Sequence, residues 1–212
     1  MKTYKSGDGI FFTSDTHFNH ANIIKYCNRP FKTVEEMNNY LVNAWNAVVK
    51  PEDTIFHLGD FAFGGSQVWN DYAHKLNGHK ILILGNHDIK NIRQGFMSLF
   101  DDVEYQMKIK IEDRVIYLNH FPLLCFDGSY KDKEYATWQL FGHVHTPSIG
   151  LDSDRVKKNK MPNQYDVGVD NNNFAPVSWK KLNQIIDKQY EEFDNNRLPK
   201  RLYRWLFGSS GS

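Results

Sequence analysis

The stretch Ile81-Leu82-Ile83-Leu84-Gly85-Asn86-His87-Asp88 joins an uninterrupted apolar run to a tight polar turn. Four apolar residues without alternation fit a strand covered on both faces, as in the parallel sheets of α/β proteins. The turn carries a carboxamide, an imidazole and a carboxylate. Working outward in both directions, the same arrangement recurs. Ile10-Phe11-Phe12-Thr13 is followed by Asp15-Thr16-His17, and Thr54-Ile55-Phe56-His57-Leu58 by Gly59-Asp60. Val115-Ile116-Tyr117-Leu118 runs into Asn119-His120, and Trp138-Gln139-Leu140-Phe141 into Gly142-His143-Val144-His145. Open α/β sheets hold their sites at the C-terminal ends of strands, so these segments are expected to converge on one rim.

Helical spacing lies between the runs. After Thr33, the positions Val34, Met37, Leu41, Ala44, Trp45 and Val48 keep a 3–4 residue period, with Thr33 and Glu36 as a capping box and Pro51 beyond the end. Weaker helices are expected over 19–26 and 66–76, and a helix from near Ser178 with Leu182, Ile185, Ile186, Tyr190 and Phe193 on one face. A further strand is expected over 165–169. The β-α-β-α-β order implies an α/β fold with a largely parallel first sheet. Residues 103–118 read as a hairpin turning at Glu112-Asp113, and so as a second, more antiparallel sheet.

Composition bounds the function. The chain has 26 Lys+Arg against 25 Asp+Glu, which gives no global reason to expect nucleic acid or an anionic membrane as partner. No apolar run approaches the roughly 20 residues of a membrane span, and no signal peptide is visible, so a cytoplasmic protein is expected. Two cysteines, Cys27 and Cys125, cannot build a thiolate metal site and read as packing residues. Residues 1–207 read as one domain. Residues 208–212, Gly-Ser-Ser-Gly-Ser, read as an appended linker, and the basic-aromatic tail before them as a helix docked on its own domain.

Nine histidines need an explanation. His57 lies inside an apolar strand and is read as a core residue, while His74 and His79 are read as surface residues. The others fall largely in the post-strand turns, beside carboxylates and one carboxamide. Such nitrogen and oxygen donors suit divalent Mn, Fe, Zn, Ni or Co. In Asp-x-His and His-x-His, residues two apart on extended chain point the same way and can reach one cluster. Asp15, His17, Asp60, Asn86, His120, His143 and His145 are too many donors for one ion, and with one bridging carboxylate they serve two.

Together these motifs resemble the signature of the calcineurin-like metallophosphoesterases over about residues 10–145, and Val167-Gly168-Val169-Asp170 with Pro176-Val177-Ser178 resembles the tail of small bacterial and phage members. The resemblance implies a four-layer α/β/β/α sandwich with two mixed sheets and a dimetal site at the strand ends. It implies that Asp15, His17, His145 and Asp60 hold one ion, that Asp60 bridges, and that Asn86, His120 and His143 complete the second site. It implies phosphate-ester hydrolysis by a metal-bridging hydroxide, with His87 as general acid. Asp88 is then expected to orient His87 or brace its loop.

Asn19, His20 and Arg29 are candidates for substrate contact, Arg29 as a phosphate-pairing guanidinium or, alternatively, a surface arginine in a proline-containing loop. Asp152 to Lys160 reads as a loop near the site. The protein phosphatases of this family carry an arginine shortly after the bridging aspartate, where this chain has Phe61-Ala62-Phe63-Gly64-Gly65. Only 25 residues separate Asp60 from Asn86, too few for a cap domain there. A small phosphodiester, such as a nucleotide, is therefore the first expected substrate and a phosphomonoester the second. Nucleic acid is less favoured, and an inert interaction scaffold least, since all seven ligands and His87 are present.

Overall fold

The computed structural model describes residues 1–89, 95–145 and 151–196. The expected docking of the tail and the linker at 208–212 lie outside the described residues. The strands are β1 (Lys2–Tyr4), β2 (Ile10–Thr13), β3 (Thr54–His57), β4 (His79–Ile83), β5 (Asp102–Glu104), β6 (Gln106–Ile111), β7 (Arg114–Asn119), β8 (Trp138–Phe141), β9 (Gln164–Asp166) and β10 (Val177–Ser178). The helices are α1 (Ala21–Tyr26), α2 (Val34–Val48), α3 (Ser66–Lys75), α4 (Leu151–Asn159) and α5 (Trp179–Asn196).

Two five-stranded sheets form, in the orders β10-β2-β3-β4-β5 and β1-β6-β7-β8-β9. In the first, β2 to β5 are parallel and β10 runs antiparallel to β2. The second is no more antiparallel than the first, against the expectation from the hairpin, and both sheets are mixed, as the resemblance implies. In the second, only β6 and β7 pair antiparallel, and the other three pairings are parallel. The hairpin itself forms over 106–119, but its expected first residues leave it. Asp102 to Glu104 instead pair with β4 and close the first sheet.

The inner faces meet in one apolar cluster, in which Phe12, Phe56, Leu58, Ile81 and Ile83 face Ile109, Ile111, Ile116, Leu118 and Leu140. Register drives this. Phe12 pairs with Phe56 and Phe56 with Ile81, and the two phenyl rings stack at 5.4 Å. The outer face of the first sheet, Ile55, Leu82 and Leu84, is covered by Ile23, Met37, Leu41, Trp45, Trp69 and Ala73 of α1 to α3. Thr33 caps α2 by accepting from the Glu36 N–H at 3.2 Å, while the Glu36 carboxylate takes the Lys32 N–H, one residue before the cap. α5 inserts Leu182 and Ile186 into the inter-sheet cluster.

The segment after β7 folds over the outer face of the second sheet. Gln139 and Gln164 are buried there and satisfy one another. Gln164 Nε2 donates to Gln139 Oε1 at 2.6 Å, Gln139 Nε2 donates to the Phe121 carbonyl, and the Leu123 N–H donates to Gln139 Oε1. α4 corrects the expectation of a loop over 152–160. Its Ser153 is buried, while Lys157 and Lys158 point outward at its end. The further strand is shorter than expected and gives way to a 3-10 turn at Val169–Asn171. Among the described residues no helix is long and apolar enough to cross a membrane.

Candidate metal centre

Past the strand ends, two loops run side by side and are zipped through their backbones. Leu58 N donates to Thr13 O, Asp15 N to Gly59 O, His17 N to Asp60 O and Phe18 N to Phe61 O, at 2.8–3.0 Å. This zipper sets the Asp15-Thr16-His17 turn against Asp60. The ladder continues on the other sheet, where Gly142 N donates to His120 O. The loops are sharply bent. Asp15, His17, Asp60, His143 and His145 all have φ between 47° and 71°, the left-handed region. Strain of this kind persists only where the surroundings hold it, and it gathers at functional sites.

Every expected ligand reaches the same rim. Asp60 Oδ2 lies 3.5 Å from His17 Nε2 and 3.6 Å from His120 Nε2, the position of an oxygen shared between two sites. Donor atoms of Asp15, His17 and His145 lie within 4.8 Å of one another, as do those of Asp15, Asp60 and His120. Asn86 Oδ1 stands 3.1 Å from His120 Nε2 and 3.0 Å from His143 Nδ1. The rim therefore holds two overlapping donor groups, one on the His17 side of Asp60 and one on the His120 side.

The chemistry of this cluster fits divalent cations. His17 Nε2 is buried without a hydrogen bond among the described residues, a polar atom in need of a partner. Burial holds the His17 imidazole well below its usual pKa and raises that of Asp60, so the metal-free cluster is electrostatically costly. A bound cation offsets that cost.

The imidazoles are held from behind. The His120 Nδ1–H points at the Leu58 carbonyl at 2.7 Å, which turns Nε2 toward Asp60. His145 Nδ1 is 2.7 Å from Asp170 Oδ2, which likewise leaves its Nε2 facing Asp15. Without a cation, His145 is pushed up to about 11. Burial pulls the other way, but Asp15, Asp170 and the Cys27 thiol outweigh it. Carboxylate partners of this sort fix the tautomer and direction of metal-binding histidines.

Arg29 corrects both expectations for it. It is neither a phosphate clamp nor a surface residue, for its side chain is fully buried. Nε and Nη2 grip Asp170, Nη1 donates to Thr16 O, and Nη2 also donates to Asp15 O. These donors are spent on bracing the Asp15 turn. Asp88 is also not a group in contact with the reacting centre. Its carboxylate accepts from the N–H groups of Asp60, Phe61 and Gly85, at 2.7–3.0 Å, and so ties the two ligand turns together. Burial pushes its pKa up to about 7. Of the two roles expected for it, it braces the loop.

His87 is 38% exposed, with Nε2 3.9 Å from Asp60 Oδ2. His20 lies beside it, ring centroids 6.3 Å apart, and stacks on Phe63 at 4.5 Å. Asn19 is exposed, and its carboxamide donates to Phe63 O. His57 is a core residue as expected, bonded to Thr16 Oγ1 and Gly59 N, whereas Cys125 is exposed rather than packed. Asp170 was visible only as part of the family tail. It too follows a short strand, so the rule that exposed the other turns applies to it as well.

The comparisons with known proteins agree with this geometry. The family model described as calcineurin-like phosphoesterase matches residues 9–174. An uncharacterized protein of Methanocaldococcus jannaschii is 37% identical over 185 residues, covering 84% of this chain and 92% of its own. The Gene 66 protein of Mycobacterium phage L5 is 28% identical over 189 residues, with 76% of this chain and 86% of its own covered. A protein of unknown function from Aquifex aeolicus shares the fold, at TM-score 0.63 and 24% identity, over 83% of this chain and 98% of its own. The family match spans most of the chain and covers every turn of the rim: the chain belongs to the calcineurin-like phosphoesterases.

Proposed function

We propose that this protein is a dimetal-dependent phosphodiesterase acting on a small phosphate ester such as a nucleotide. Asp15, His17, Asp60 and His145 would hold one divalent ion, and Asp60, Asn86, His120 and His143 the second, with Mn, Fe, Zn, Ni and Co all suited to these donors. Such ions, when bound, polarise a phosphoryl group and lower the pKa of a coordinated water. The observation that carries the reading is Asp60 Oδ2 standing between two imidazole nitrogens, with His87 Nε2 within 3.9 Å of the same oxygen.

The chain's own residues divide the remaining work. His87, partly exposed beside Asp60, is placed to protonate a departing alkoxide. Asp88 holds the turns of Asp60 and Gly85 in register. Arg29 and Asp170 hold the Asp15 turn and His145. The stretch between Asp60 and Asn86 is used up by α3 and β4, which favours an open site and so a diester over a monoester. Cys27 and Cys125 are free thiols, which fits a cytoplasmic protein.

Turnover of bis-p-nitrophenyl phosphate and p-nitrophenyl phosphate by protein loaded with Mn tests the reading. Faster diester turnover is expected. Monoester preference would replace it with phosphatase activity, and full metal loading without turnover of either would replace it with a scaffold.

A further inference from the structure

Two exposed aromatic rings border the ligand cluster, each beside a different pair of its histidines. Phe63 is 48% exposed, 4.5 Å from His20 in a parallel stack and 6.4 Å from His87. Phe121 is 41% exposed, with its centroid 4.7 Å from His143 and 4.9 Å from His120. His17, His20 and His87 form one group of rings at Asp60, and His120 and His143 another, so one exposed ring borders each group around the place where a phosphate would sit.

Neither ring is on a loose loop. Phe63 N donates to Phe18 O at 2.7 Å, the Asn19 carboxamide holds Phe63 O, and a β-bridge joins Phe18 to Ala62 one residue earlier. Phe121 N donates to Asn119 Oδ1 at 2.8 Å, and Phe121 O accepts from buried Gln139. The backbone is thus fixed while the phenyl face is left in water. Exposed aromatic surface on a rigid frame has an unsatisfied preference for a flat apolar partner. Stacking of nucleobases is the match with the right shape, and each stack is worth a substantial share of affinity.

We infer that Phe63 and Phe121 are paired stacking platforms, and that the substrate is a dinucleoside phosphodiester with its phosphate at the metal rim and one base on each ring. This rests on the phosphodiester reading and names its substrate class. His20, stacked behind Phe63, is a positioning residue for that platform.

The test uses dithymidine monophosphate, thymidine 3′-ethyl phosphate and thymidine 5′-ethyl phosphate, followed by chromatography with the Mn-loaded full chain. Removing either base is expected to lower kcat/KM about tenfold. Phe63→Ala should erase the advantage of one base and Phe121→Ala that of the other, with unchanged thermal midpoints showing that both variants fold. Equal kcat/KM for all three esters in the wild-type protein overturns the inference, as does an undiminished two-base advantage in both variants. Should no diester be cleaved at all, the phosphodiester reading fails by itself. Binding of the methylphosphonate analogue of dithymidine monophosphate then decides the platforms. Wild-type affinity about tenfold tighter than in either variant upholds them, and equal affinity overturns them.

Discussion

Arg29 grips Asp170 across 141 positions of chain through two parallel contacts, Nε to Oδ1 and Nη2 to Oδ2, both at 2.8 Å. Both side chains are buried, and the same carboxylate holds His145. Removing one member of such a pair strands the other charge. Arg29→Met is expected to cost about 3–5 kcal/mol in chemical denaturation. Arg29→Lys should recover little of it, because an ammonium cannot make the fork. A loss of less than about 1 kcal/mol would mean that water already satisfies Asp170.

Asp170→Asn changes what stands behind His145. Carboxylate partners of metal-binding histidines are commonly worth about 10–100-fold in metal affinity. Titration with Mn should show a loss of that size, confined to one of the two binding events. Two events of unaltered affinity would remove Asp170 from the metal centre.

Asp60 and His87 should fail differently. Asp60→Asn removes the oxygen between His17 and His120, and metal analysis should find both sites emptied or greatly weakened. His87→Gln should keep the metal content and lose about 10²–10⁴-fold in turnover of an alkyl diester, the usual worth of a general acid. A His87→Gln protein as active as the wild type would take the proton-donor role away from this residue.

Gly85 and Gly95 make a matched pair. A methyl group on Gly85 would stand 2.5 Å from Asp60 N and collide with the Asp60 carboxylate, whereas one on Gly95 meets nothing within 4 Å among the described residues. Gly85→Ala should therefore displace Asp60 and lower metal affinity. Gly95→Ala, at φ 79°, should cost about 1–2 kcal/mol of stability and leave metal affinity alone. Equal metal affinity in both variants would show that the turns of Asp60 and Gly85 yield freely.

His57 sets a pH dependence. Burial lowers its folded pKa to about 3, against about 6.5 in an unfolded chain. Between those values the unfolded state binds the extra proton, so this contribution is full above pH 6.5 and is lost as pH falls toward 3. Asp88, raised to about 7 in metal-free protein, acts in the opposite sense, its contribution falling as pH rises from about 4 to 7. Ring nitrogen NMR isolates the histidine. His57 should stay neutral down to about pH 4, and a midpoint near 6 would show that its pocket admits water.

The rim was legible because its ligands share one local rule, polar groups just past an apolar run. Thr33 and Glu36 were equally local. What escaped depended on partners distant in sequence. Arg29 looks like a loop residue until Asp170 is brought beside it. Gln139 lies in an apolar run, and its pairing with Gln164 forms only when the segment after His120 folds over both. Val103 and Glu104 read as the start of a hairpin, and only the free edge of β4 explains where they go.

The left-handed turns at Asp15, His17, Asp60, His143 and His145 carry a consequence for redesign. Aspartate and histidine are among the few residues other than glycine that tolerate this backbone. Each of these positions is thus selected twice, for the atom it offers and for the bend it accepts. Exchanging one for glutamate or cysteine to favour another metal would ask the main chain to move as well. Transplanting the centre to another scaffold means copying its bends before its side chains.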